Sequence, residues 1–126
     1  MPRAPRLDIS HLLHHVIVRG IDRRDIFLDD EDRLRFLQRL SELLEETQTR
    51  CFAWSLMSNH LHLLLMPTAQ PLATLMRRLL TAYAVYYNRK SSRSGHVFQN
   101  RYKSILCEEG SYLLELVRYI HLNPLG

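Results

Sequence analysis

The sequence predicts an α+β fold, an antiparallel sheet with helices packed on it. Three observations predict it. Short stretches that are β-branched or alternate apolar with polar residues are interspersed with two long runs of helical periodicity. Two of the strand-like stretches are separated only by Met57–Asn59, which is hairpin spacing. No internal repeat or low-complexity segment interrupts them, and 126 residues is the length of one domain.

The elements follow in order. His14–Gly20 ("HHVIVRG") is β-branched and ends in Gly, so it reads as a strand. In "LDDEDRLRFLQRLSELLEETQ", Asp29 suits an N-cap with Asp32 three residues on. Leu34, Leu37, Leu40 and Leu44 then recur at helical spacing, and acids fill the first turn, where the helix dipole favours them. Cys51–Leu56 puts Phe52, Trp54 and Leu56 on one side of a second strand, and His60–Met66 is its hairpin partner. "PLATLMRRLLTAYAVYYNRK" is a second helix with Leu72, Leu75, Leu79, Ala82 and Tyr86 on one stripe. Arg89–His96 is linker-like, and "HVFQNRYKSIL" reads as a strand or two short pieces. Ser111 caps a last helix, "YLLELVRYIHLN", which Pro124 stops. The order β-α-β-β-α-β-α is that of a ferredoxin-like arrangement, one domain over residues 1–126.

Composition narrows the class. A hydrophobic share of 46% and a charged share of 24% are ordinary for a soluble globular protein. No apolar run approaches the roughly 18 residues of a membrane span, and the N-terminal arginines precede no hydrophobic region of a signal peptide. Cys51 and Cys107 are in no metal-ligand spacing and read as two reduced thiols of a cytoplasmic protein.

The net charge of +4 is unevenly spread. From Pro67 through Cys107 there is no acid, and Arg77, Arg78, Arg89, Lys90, Arg93, Arg101 and Lys103 alternate with Tyr83, Tyr86, Tyr87, Phe98 and Tyr102. A polyanion with stackable bases would favour such a tract. A solvated helix face above core aromatics accounts for it equally well. On the first reading Arg77, Arg78, Arg89, Lys90, Arg101 and Lys103 are the candidate phosphate contacts.

"MSNHLHLLL" carries the sharper signal. Alternate strand residues face opposite ways, so His60 and His62 share one face while Leu61, Leu63 and Leu65 share the other. One of His14 and His15 faces the same side as that pair if the strands are adjacent. On the last helix, residues four apart group Glu115, Tyr119 and Asn123 opposite the stripe Leu113, Leu116, Val117 and Ile120. Packed as neighbours, helix and strand would gather two imidazoles, a carboxamide oxygen and a phenol around one point. Two neutral imidazoles and an oxygen donor leave positions open on a divalent cation, as a catalytic metal site requires. Taken singly, each residue has a plainer reading: histidines on an exposed sheet face, a tyrosine at a helix rim, an asparagine cap.

Together, "WSLMSNHLHLLL", the basic helix, "GHVFQNRYKSIL" and "YLLELVRYIHLNP" resemble the single-tyrosine HUH transposases, and among them the REP-associated, IS200-like group. "HHVIVRGIDRRDIFLDDEDRLRFL" is similar to that group too, so the resemblance spans nearly the whole chain. It implies His60 and His62 as the metal-binding HUH pair, Tyr119 as the nucleophile and Asn123 as the third ligand. It further implies cleavage of single-stranded DNA beside a hairpin through a 5′-phosphotyrosine, with Mg²⁺ or Mn²⁺ as cofactor, by a monomer or homodimer. The chain departs from the pattern in having Ile21-Asp22 after "RG", where an Asn is usual, and Ser58 where Pro is frequent. It also stops at Gly126, where relatives often continue, which puts a C-terminal DNA-gripping extension in doubt.

Rival readings remain open at this stage. A non-catalytic nucleic-acid-binding module of the same shape would show aromatics on the sheet, where this chain offers histidines. A zinc hydrolase would need a third strong ligand and would leave Tyr119 without a role. A relaxase or replication-initiator nickase would share the chemistry.

Overall fold

The computed structural model describes residues 12–107. They form β1 (Leu13–Arg19), α1 (Asp30–Thr47), β2 (Thr49–Leu56), β3 (His60–Pro67), α2 (Leu72–Ser91) and β4 (Lys103–Cys107), with a short 3-10 turn at Ile21–Arg23. The expected order thus holds through β4. The predicted last helix, with Glu115, Tyr119 and Asn123, lies outside the described residues. Residues 96–106 form two short pieces: an isolated bridge between Gly20 and Phe98, then β4.

The four strands make one antiparallel sheet in the order β2-β3-β1-β4. Strands β1 and β3 are central, and each connection through a helix skips a strand, which is the ferredoxin-like topology. One sheet face carries Val16, Val18, Leu61, Leu63 and Leu65, all buried in a single core with Phe36, Leu40 and Leu43 of α1 and Leu72, Leu75, Met76 and Leu79 of α2. Pairing of Ile17 with His62 and Arg19 with His60 places the histidines on the opposite face, away from α1 and α2.

Three details of the sequence reading change. On α1 the buried positions are Asp32, Phe36, Leu40, Leu43 and Thr47, while Leu34 is 67% exposed and Leu37 and Leu44 only flank the core. Phe36 sets the stripe, a rotation away from the one the leucines alone suggest. On α2 the stripe continues through Tyr83 and Tyr87, not Ala82 and Tyr86. Burial of those rings is possible because each hydroxyl finds a backbone acceptor, Tyr83 on the Ile26 carbonyl at 2.5 Å and Tyr87 on the Asp25 carbonyl at 2.6 Å. On β2 the register shifts between Cys51 and Ala53, a bulge that turns Phe52 outward to 43% exposure, with the Arg50 guanidinium 5.2 Å from its ring centre. Trp54 and Leu56 keep their expected side.

The β1–α1 connection folds back tightly on the hairpin. Ile26 and Phe27 donate their N–H groups to the Ser58 carbonyl at 2.7 and 3.1 Å, and Gly20 donates to the Asn59 carbonyl at 2.9 Å. Gly20 is required here by close approach. A Cβ at this position would lie 2.1 Å from the Arg24 carbonyl oxygen and 3.0 Å from Cγ2 of Ile26. Gly20→Ala is therefore expected to cost about 3 kcal/mol, at the upper end of overpacking penalties, read as a lower urea midpoint.

Candidate metal and nucleic-acid site

His60 and His62 sit at alternate positions of β3, with ring centres 5.1 Å apart and planes at 80°. His60 is half-buried, whereas His62 is only 7% exposed. Each ring is held through Nδ1. His60 Nδ1 lies 2.9 Å from the Asn59 side-chain oxygen, and His62 Nδ1 lies 2.9 Å from Nε2 of His15. Of the two N-terminal histidines it is His15 that shares the face of the pair, its ring edge to edge with that of His62 and tilted from it by 24°. His14 points to the other face and contacts the Ser104 hydroxyl at 3.1 Å.

The local environment keeps these rings uncharged at neutral pH. Burial, then the neighbouring His15, His60 and Arg19, pulls His62 down to about 4. Burial and then Arg19 lower His60, and burial lowers His15. A neutral imidazole is the form that ligates metal. The donor set therefore suits a divalent cation held through the Nε2 atoms of His60 and His62. Among the described residues no group of three or more His, Cys, Asp or Glu could hold a metal by itself, so these residues fit as part of a site that needs a further donor.

A folded-state value near 4 against about 6.5 in the unfolded chain has a stability consequence. Between those values the unfolded chain binds the extra proton, so stability is intact above about pH 6.5 and is lost as pH falls toward 4. Metal-free protein is expected to lose roughly 3 kcal/mol across that window from His62. Thermal melts in EDTA at stepped pH check this, and His62→Gln should flatten the slope.

Beside His60 opens a cavity of about 420 Å³ lined by Arg19, Gly20, Arg23, Asn59, His60 and Gln99. Its charged side chains are two guanidiniums, and no carboxylate lines it, an environment suited to a phosphodiester. Sequence reading missed Arg19, Arg23, Asn59 and Gln99. Only the strand-ending "RG" hinted at Arg19, because the other three are gathered by the Gly20–Phe98 bridge and the hairpin turn.

The basic tract divides. Arg77 and Arg101 line one cavity of about 390 Å³ with Tyr102, and Arg101 also lines a smaller one with Arg19 and Lys103. Arg77, Arg89, Arg101 and Lys103 make no ion pair among the described residues. Two candidates are otherwise engaged. Arg78 pairs with Glu46 at 2.8 Å, and Lys90 bonds Asp32 at 2.7 Å and Asp29 at 3.0 Å. Lys90 thereby ties α2 to the buried Asp32, whereas the Arg78–Glu46 pair lies at the surface, about as exposed as Arg39–Glu42. Tyr83 and Tyr87 are buried, and Tyr86 carries the Arg35 guanidinium 4.9 Å from its ring centre, so the helix tyrosines serve the core and not base stacking. Both cysteines are free thiols, with burial raising Cys51 to about 11. No helix among the described residues is long and apolar enough to cross a membrane.

Comparison with known proteins places this geometry. Residues 8–123 match the profile of the family described as "Transposase IS200 like". A solved REP-associated tyrosine transposase, bound to a REP hairpin, superposes with a TM-score of 0.76 at 16% identity, over 98% of this chain and 73% of that one. A protein from Deinococcus radiodurans R1 described as a transposase superposes with a TM-score of 0.63 at 17% identity, over 99% of this chain and 100% of the other. No curated protein matches. At such identities the superpositions establish the fold, and the profile, spanning the sheet histidines and the C-terminal segment alike, establishes kinship: this chain belongs to the IS200-like transposase family.

Proposed function

We propose that the chain cleaves and rejoins single-stranded DNA beside a hairpin through a covalent phosphotyrosine. The observation that carries this reading is the pair of neutral imidazoles on β3. Each is anchored at Nδ1, and His60 borders a cavity lined by two arginines. The hairpin as substrate is suggested by the related transposase solved with a REP hairpin.

In this reading His60 and His62 hold Mg²⁺ or Mn²⁺ with Asn123, which like Tyr119 lies outside the described residues. When bound, the cation polarises a phosphodiester oxygen and offsets charge as it builds up at phosphorus. Arg19 and Arg23 neutralise and orient the strand in the adjoining cavity, so the scissile bond is presented in a fixed pose. Tyr119 attacks through its phenolic oxygen. The new bond is Tyr119 Oη to phosphorus, and the bond from phosphorus to the 3′-oxygen breaks. The phenol loses its proton and the departing 3′-oxygen takes one up. Because the ester energy is kept in the phosphotyrosine, a later 3′-hydroxyl can reverse the step without ATP. Arg77, Arg89, Arg101 and Lys103 supply backbone contacts that set affinity and salt dependence, not sequence choice.

The test is incubation with hairpin-bearing single-stranded DNA and Mn²⁺, followed by a denaturing gel. A protein–DNA adduct that EDTA abolishes is expected. Cleavage that proceeds in EDTA, or the absence of any adduct, would overturn the reading.

A further inference from the structure

We propose that His15 is a positioning residue for His62: it accepts the Nδ1–H of His62 and so keeps the Nε2 lone pair of that ring for a cation. The proposal rests on the metal reading given above only in its last clause. The contact itself is a 2.9 Å approach of His15 Nε2 to His62 Nδ1, between rings that are 6% and 7% exposed.

One proton lies between those two nitrogens, and its placement decides what His62 can do. If His15 Nε2 carried it, a neutral His62 would hold its own proton on Nε2 and could not ligate through that atom. If His62 Nδ1 carries it, Nε2 is a lone-pair donor and His15 is left in the Nδ1–H form. The far nitrogen of His15 is buried with no hydrogen-bond partner among the described residues, so no group there dictates the opposite tautomer. His60 shows the same plan with a different partner: its Nδ1 faces the Asn59 side-chain oxygen, an atom that can only accept. Both imidazoles are thus backed at Nδ1 by an acceptor, the arrangement that orients metal-bound histidines and fixes their tautomers.

Strand geometry explains why residue 15 can serve. Ile17 pairs directly with His62, and His15, two residues earlier on β1, is its diagonal neighbour on the same face. The two rings meet edge to edge, with planes within 24° and centres 5.1 Å apart, so Nε2 of His15 faces Nδ1 of His62 along the hydrogen bond. An apolar residue of similar size at position 15 would fill the space without accepting the proton. Packing and tautomer control can therefore be separated by experiment.

Long-range ¹H–¹⁵N correlation spectra of the full chain, labelled at histidine, read each ring's tautomer with and without Mg²⁺. His62 is expected as Nδ1–H in the wild type. His15→Phe should move it toward Nε2–H and weaken Mn²⁺ binding, followed by electron paramagnetic resonance, by about 10- to 100-fold. The His60 signals should stay unchanged, which certifies the fold. His15→Gln, which offers a side-chain oxygen as acceptor, should retain the Nδ1–H form and bind Mn²⁺ within a few-fold of wild type. An Nε2–H form of His62 in the wild type with Mg²⁺, or an unchanged tautomer and affinity in His15→Phe, would overturn the proposal. A wild-type chain that shows the Nδ1–H form but binds no Mn²⁺ would sink the metal reading while upholding the direction of the His15–His62 hydrogen bond.

Discussion

A chain carrying Tyr119→Phe is expected to bind hairpin DNA and Mn²⁺ about as tightly as the wild type and to form no covalent adduct. The substitution removes one oxygen and leaves the ring. If the phenol is the nucleophile, cleavage should fall by about 10,000-fold or more, as when a nucleophile is deleted from an otherwise intact site. His62→Ala is the complementary case. It leaves Tyr119 in place but removes a buried imidazole of the proposed cation site, so Mn²⁺ affinity and adduct formation should fall together. A filter-binding titration, a denaturing gel and an Mn²⁺ titration on the same three proteins separate these outcomes. Residual adduct in Tyr119→Phe would mean that another side chain attacks.

How much of this was legible in the sequence depends on the kind of regularity each feature obeys. Alternation on β3 follows from backbone geometry alone, so the split of "HLHLLL" into a histidine face and a leucine face could be read directly and matches the structure. The Asp29 cap is equally local, its carboxylate accepting the Asp32 N–H at 3.1 Å. Features that depend on tertiary partners could not be read. The sequence leaves Tyr83 and Tyr87 open between base stacking and the core, and only the Asp25 and Ile26 carbonyls, from a loop about 60 residues away, decide for the core. Phe52 is displaced by a one-residue bulge that no periodicity announces. His15 was one of two adjacent histidines, and only the β1–β3 register selects it over His14. Lys90 looked like a phosphate contact because the acids that neutralise it belong to another helix.

Those acids include Asp32, a buried carboxylate at the centre of a hydrogen-bond network, and Asp32→Ala is expected to destabilise the chain by about 3 kcal/mol. The Asp32 side chain is fully buried. Its carboxylate accepts from the Leu28 N–H at 2.8 Å, from Tyr86 at 2.6 Å and from Lys90 at 2.7 Å. Burial alone would raise this acid, but the bonds from Lys90, Tyr86 and Leu28 outweigh it and hold the carboxyl below its ordinary value. The linkage follows in sign: the stabilisation is present above about pH 4 and is lost as pH falls through the depressed folded-state value. Exposed pairs such as Arg39–Glu42 contribute far less, because water already solvates both partners. Asp32→Asn should cost less than the alanine change, since shape and one acceptor survive, yet its amide group must face either the Leu28 N–H or the Lys90 ammonium as a second donor. The damage should reach the site. Asp32 and the two buried tyrosines fasten residues 25–28 to α2, and that segment in turn holds the Ser58 carbonyl of the turn before His60. Urea unfolding gives the stability loss, and faster amide exchange at Ile26 and Phe27 in Asp32→Ala would show that the turn carrying His60 has loosened.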